Sequence, residues 1–170
     1  SVEEFINQAS KDPKVKGIKI ILYRTDTNGK IINYLIQAAE NKKQVACIIE
    51  LKARFDEERN IKWAQKLEES GVHVSYGLID KKTHAKMIAV IRKDSDGLRT
   101  YSYLGTGNFN SQTSKFYTDL GFFTMKSKIG SEVLEVFNYL TGRSLKRQYK
   151  NLLVAPFTMI STFLDLIACE

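Results

Sequence analysis

Cysteine is scarce in this 170-residue chain, with only Cys47 and Cys169 present. No CxxC pair and no Cys/His spacing is available to build a zinc site or a disulfide framework, so the expected state is reduced and metal-free in structure. No apolar run approaches the roughly 18 residues that a membrane span requires. The opening Ser1-Val2-Glu3-Glu4 lacks the basic and apolar regions of a signal peptide, which points to a cytoplasmic location. Compositional bias is missing as well: 43% apolar and 26% charged residues exclude disordered and fibrous classes. The length suits one domain with an adequate core. The one surplus is positive charge, a formal +7 with a pI near 9.3. That surplus fits a polyanionic partner, and equally a basic domain that merely stays in solution.

Hydrophobic periodicity orders the chain. Val2 to Ser10 reads as an amphipathic helix that ends at Asp12-Pro13. The β-branched run from Gly17 to Arg24 predicts a strand, with Thr25-Asp26-Thr27-Asn28-Gly29 as its turn. Helical spacing over 31–39 and an apolar run from Val45 to Leu51 predict a helix and a second strand. Asp56-Glu57-Glu58 opens another helix, closed at Gly71, and Val72 to Tyr76 alternates as a third strand. Strands over 85–92 and 98–104 flank the hairpin turn Asp94-Ser95-Asp96-Gly97. A last strand over 117–124 and a helix over 129–140 follow. This order predicts an α/β fold, a mixed and largely parallel sheet flanked by helices. Residues 141–151 carry Arg143, Lys146, Arg147 and Lys150 without an acid and read as a linker. Beyond it, Leu152-Leu153-Val154-Ala155-Pro156 reads as a strand-like run leading into a helix.

The densest chemistry lies in Lys81-Lys82-Thr83-His84-Ala85-Lys86 at a strand entrance. Residues two apart on a strand face the same way, so His84 and Lys86 share a face. A neutral imidazole can attack phosphorus, and a neighbouring ammonium can neutralise the phosphate oxygens. A solvated basic strand end is the other reading of the same residues. Directly after a later strand comes Gly105-Thr106-Gly107-Asn108-Phe109-Asn110, where small residues let backbone N–H groups approach an anion and Asn108 can orient imidazole or phosphate.

His-x-Lys followed by a Gly-[Ser/Thr]-x-Asn loop resembles the phospholipase D superfamily signature. That pattern places an aspartate five residues after the lysine, where this chain has Ile91. A closer resemblance rests on five blocks in order: Ile20 to Arg24, Glu50 to Glu58, Lys82 to Lys86, Leu104 to Asn110, and Phe116-Tyr117-Thr118-Asp119. Together they resemble the first carboxy-terminal catalytic domain of bacterial polyphosphate kinase, the long-chain-synthesising family, with a phospholipase D-like fold. The resemblance implies reversible transfer of the terminal phosphate of ATP to polyphosphate through a phosphohistidine at His84, with Lys86 beside it. It implies that Tyr117 contacts the nucleotide, while Gly105, Thr106, Gly107 and Asn108 shape the substrate pocket. A core-filling strand tyrosine is the alternative for Tyr117. Arg24 and Arg54 match positions associated with magnesium in the family. A guanidinium cannot ligate a cation, so both read as phosphate clamps beside Mg2+, with surface ion pairs as the alternative.

The resemblance further implies a catalytic domain over 1–150 and the start of a truncated following domain over 151–170. The remaining domains of a longer chain would be partners, in a homo-oligomer, without nucleic acid and with peripheral membrane association as an option. The isolated fragment is expected to be inactive. A phospholipase D-like phosphodiesterase or nuclease and a non-catalytic polyanion-binding module are the competing functions. His73, between Val72 and Val74, reads as structural. Gly29-Lys30 fails the phosphate-loop pattern, and Asp56-Glu57-Glu58 reads as a helix-dipole complement before a magnesium site.

Overall fold

Consecutive residues of a strand face opposite sides, and two inner strands are apolar on both because helices cover each side. The computed structural model describes residues 1–23, 29–50, 57–78, 81–145 and 147–170. Strand β1 is Val15–Leu22 and β2 is Gln44–Ile49. Ile18, Ile20 and Leu22 join Val45, Cys47 and Ile49 in one buried cluster, while Ile21 and Ile48 enter a second. The first cluster is roofed by α1 (Val2–Lys11), α2 (Lys30–Glu40) and α3 (Glu57–Glu69) through Ile6, Ile32, Leu35, Ala64 and Leu67. The second packs under α4 (Ser127–Leu140) through Val133, Val136 and Phe137.

Local signals start the helices. Ser1 caps α1 by accepting from the Glu4 N–H at 3.2 Å. Gly29 precedes α2 in the left-handed region at φ 58°, and a Cβ there would lie 2.5 Å from the Trp63 ring. Only glycine satisfies both demands.

The remaining strands are β3 (His73–Tyr76), β4 (Lys86–Asp94), β5 (Gly97–Gly105) and β6 (Gly121–Thr124). Among the described residues, six strands form one open sheet in the order β3-β2-β1-β4-β5-β6. Pairings β1·β2 and β2·β3 are parallel, whereas β1·β4, β4·β5 and β5·β6 are antiparallel. The expected mixed sheet flanked by helices is present. Four strands run one way against β4 and β6, yet antiparallel neighbours outnumber parallel ones. A parallel pair needs a crossover connection, and helices separate only the first three strands.

Two stretches differ from the periodicity. Strand β6 begins at Gly121 instead of residue 117, because the chain ahead of it pairs with Thr106: the Thr106 N–H donates to the Leu120 carbonyl, and the Leu120 N–H donates to Thr106 Oγ1, each at 3.0 Å. The basic stretch read as a linker is strapped to α4. Buried Glu132 accepts from the N–H groups of Lys150, Asn151 and Leu152 at 2.8–2.9 Å and from Asn151 Nδ2 at 3.0 Å. Tyr149 enters the second cluster, and Leu152, Val154 and Phe157 pack against it without forming a strand. Helix α5 (Met159–Ala168) buries none of its residues.

Burial pushes the Glu132 carboxyl upward, but the backbone and amide donors of 150–152 outweigh it and hold it below the ordinary value of 4.5. Its contribution to stability is therefore complete above the unfolded value and is lost as pH falls through the lower folded one. Glu132→Ala is expected to cost about 2–4 kcal/mol in urea denaturation at pH 7, since buried N–H groups lose a charged acceptor. The deficit should shrink below pH 4.5, and a deficit that stays constant with pH would contradict this assignment.

Candidate functional site

The carboxyl ends of β1, β2 and β5 meet the start of β4 at one rim of the sheet, the side where open α/β sheets carry ligands. Register sets this meeting: Ile20 pairs with Ile88, Lys86 with Gly105, and Gly105 with Gly121. His84 stands exposed on this rim between two buried neighbours, Thr83 and Lys86. The Lys86 ammonium donates to the His84 carbonyl at 2.7 Å and lies 3.1 and 3.2 Å from Nδ1 and Nε2 of the ring. An ammonium only donates, so a ring nitrogen that pairs with it is an unprotonated acceptor. The expected sharing of one face by His84 and Lys86 is realised as direct contact.

Tyr23, the residue after β1, is buried and meets the His84 ring edge-on with centroids 5.2 Å apart. The Lys82 and Lys86 ammoniums lie over the Tyr23 ring at 5.4 and 5.3 Å. Its π-face thus holds two cations beside the imidazole. Buried Asn60 of α3 donates to the carbonyls of Tyr23 and Glu50 at 3.2 and 3.0 Å. The Glu50 N–H donates to the Leu22 carbonyl at 3.0 Å, and Glu50 Oε2 accepts the Thr83 N–H at 2.7 Å. A Cβ on Gly77 would lie 2.6 Å from Thr83 Oγ1 and 3.2 Å from Glu50 Oε2, so the turn before His84 is closely packed.

The opposite wall is the loop 105–108. Thr106 Oγ1 donates to Asp119 Oδ1 at 3.0 Å, and a Cβ on Gly107 would lie 2.3 Å from Asp119 Oδ2. Beneath, the Tyr103 side chain crosses Gly105 and Gly121, where an added Cβ would fall 2.4 Å from its hydroxyl at Gly105 and 2.8 Å from its ring at Gly121. Burial first, then the Asp119 charge, pushes the Tyr103 phenol above its ordinary value. Asn108 Oδ1 and Thr83 Oγ1 are buried without a hydrogen-bond partner among the described residues, leaving two polar atoms on the rim unsatisfied.

The predicted residues separate into groups. His84 and Lys86 touch, and Gly105 is the register partner of Lys86. Thr106 and Gly107 pack on Asp119. Tyr117 lies outside β6 and is 69% exposed, which removes the core-filling reading. Arg24, Arg54 and Asp56 lie outside the described residues. His73 is exposed at the start of β3, at the opposite rim. Glu58 pairs with Lys62 at 2.7 Å, and no cluster of three or more His, Cys, Asp or Glu among the described residues could hold a metal ion. Ile91 lies roughly 17 Å along β4 from Lys86 and on the other face, so an aspartate there would not reach His84. Spacing missed Tyr23, Glu50 and Asn60. Their polar groups serve strand ends that are distant in sequence, and the only trace is a polar residue at a helical core position or directly after a strand.

Among the described residues, no helix is long and apolar enough to cross a membrane. The family described as "Polyphosphate kinase C-terminal domain 1" matches residues 1–146. This chain is 54% identical over all 170 residues to a polyphosphate kinase of Parasynechococcus marenigrum and to one of Prochlorococcus marinus, spanning 24% of each. It thus spans about a quarter of the length of these curated relatives. A crystal structure of polyphosphate kinase from Porphyromonas gingivalis superposes with a TM-score of 0.85 at 32% identity, covering 98% of this chain and 28% of that one. A phospholipase D family member, Nuc from Salmonella typhimurium, superposes with a TM-score of 0.65 at 16% identity over 84% of this chain and 88% of that one, a likeness of fold alone. The match over residues 1–146 and the whole-chain identity lead to one conclusion: the chain belongs to the polyphosphate kinase C-terminal domain 1 family.

Proposed function

We propose that this chain is the phosphohistidine-forming domain of an ATP–polyphosphate phosphotransferase. One observation carries the reading: in a chain of this family, an exposed imidazole is gripped by a buried lysine whose ammonium lies 3.1 Å from its ring nitrogen. A ring nitrogen of His84 attacks the terminal phosphorus of ATP. The N–P bond forms as the bond from that phosphorus to the bridging oxygen breaks, and ADP leaves with that oxygen. A terminal oxygen of polyphosphate then takes the phosphoryl group from the histidine, and the imidazole is regenerated. Both steps exchange high-energy bonds, so transfer runs either way.

Lys86 faces the oxygens that gain charge, and Lys82 adds a second cation across Tyr23. The loop 105–108 forms the far wall, with the unsatisfied Asn108 Oδ1 offered to a donor on the substrate or on the imidazole. Exposed Tyr117 is available to the nucleotide, and Arg24 and Arg54 serve as phosphate clamps, a role that rests on the family resemblance. Magnesium keeps several waters and binds chiefly through phosphates in such chemistry. The described residues offer no ready cage, so the ion is assigned to the nucleotide phosphates as a companion of substrate. A cytoplasmic site of action, where ATP is supplied, suits this reading.

In the full-length protein, radiolabelled ATP or polyphosphate should place an acid-labile phosphate on His84, and His84→Ala should abolish it. A label that persists in that variant would overturn the assignment. Cleavage of a phosphodiester without nucleotide would favour a phosphodiesterase, and salt-dependent polyanion binding with no label would favour a binding module. Lys86→Gln should slow labelling by about 10²- to 10³-fold, the cost typical of losing one donor to transition-state charge. Gly107→Ala should displace the loop from Asp119 and raise KM for ATP several-fold, read by steady-state kinetics, since misplaced positioning groups weaken productive binding.

A further inference from the structure

The phosphotransfer steps above give no role to a buried carboxylic side chain at the same rim. Glu50 follows β2, is 3% exposed, and lies at the rim that carries His84. Burying a carboxylate is costly unless hydrogen bonds compensate it. Its Oε2 accepts the N–H of Thr83, the residue immediately before His84, at 2.7 Å. On the other side of the histidine, the Lys86 ammonium takes the His84 carbonyl at 2.7 Å. The backbone of an exposed side chain is therefore gripped from both directions by buried charged groups. The carboxylate is itself held, because the Glu50 backbone donates to Leu22 and accepts from Asn60. Gly77 closes the space beside Thr83 and Glu50, so the turn has little room to shift.

Resting on the phosphotransfer reading, we infer that Glu50 is a positioning residue for the His84 nucleophile, acting through the Thr83 N–H. It does not touch the transferred group. It sets where the imidazole stands relative to Lys86 and the loop 105–108, so that the ring nitrogen meets phosphorus in line. The requirement is an acceptor at the Oε2 position, and glutamine supplies one with the same reach.

The experiment compares Glu50→Gln and Glu50→Ala in the full-length protein, with circular dichroism and thermal unfolding as fold controls. Single-turnover labelling of His84 from ATP is expected to slow about 100-fold in Glu50→Ala, the scale of a misplacement near 1 Å, with KM for ATP within about twofold of the parent. Glu50→Gln should stay within about threefold of the parent rate. An alanine variant that labels at the parent rate, or a glutamine variant as slow as alanine, would overturn the inference. Should Glu50→Ala fail to fold, Glu50→Asp carries the test, because its shorter reach stretches the bond to Thr83. A loss of about tenfold supports the inference and the parent rate overturns it. A second arm needs no phosphotransfer. The rate of His84 modification by diethylpyrocarbonate, read by peptide mass spectrometry, should change at least threefold in Glu50→Ala and stay unchanged in Glu50→Gln. If the parent protein takes no label on His84, the phosphotransfer reading fails, while this arm still decides whether Glu50 sets the position of the ring.

Discussion

The amide of Asn60 spans the gap where β1 and β2 leave the sheet, and the rim around His84 depends on that bridge. One side chain donates to both the Tyr23 and the Glu50 carbonyls, which stand one residue beyond the ends of β1 and β2. Two structural consequences follow from the one clamp. Tyr23 is held where its ring meets the imidazole and two ammoniums, and Glu50 is held where its carboxylate meets the turn before the histidine. Because Asn60 belongs to α3, the packing of Ala64 and Leu67 into the first core cluster also positions the rim.

The two ends of the sheet differ in what they do with charge. At the rim opposite His84, Arg92 joins Asp12 and Asp94, and buried Lys43 donates to the Asp12 and Val15 carbonyls. These cations are consumed by the fold. At the His84 rim, Lys82 and Lys86 lie over an aromatic face and beside an imidazole, an arrangement suited to an incoming polyanion. Positive charge thus serves different surroundings at the two rims, ion pairs and carbonyls at one and an aromatic face with an imidazole at the other.

Much of the fold was legible because it is local. Continuous apolar, β-branched runs marked β1 and β2, an acidic first turn marked α3, and Asp-Ser-Asp-Gly marked the hairpin between β4 and β5. His84, Lys86 and the loop 105–108 were legible as pattern, since their chemistry sits in short motifs. Three features were not. The strap from Tyr149 to Phe157 read as the end of a basic linker followed by a strand-like run, because its anchor is Glu132, a residue on α4 whose partners are mainly backbone N–H groups that carry no side-chain signature. The start of β6 read four residues early because Thr106 captures Leu120 from a different strand end. Tyr117 read as the first residue of that strand and yet lies exposed ahead of it.

The amino-acid sequence by itself determined the element order, the apolar faces, the surplus of positive charge and the identity of the histidine with its lysine two residues on. Those follow from propensity, periodicity and side-chain chemistry, all of which act over a few residues. Only the tertiary structure decided that β4 inserts beside β1, that Lys86 faces Gly105, and that Tyr23, Glu50 and Asn60 converge on His84. The reason is that buried polar groups at strand ends must find partners in space, and the partners available there come from segments tens of residues apart.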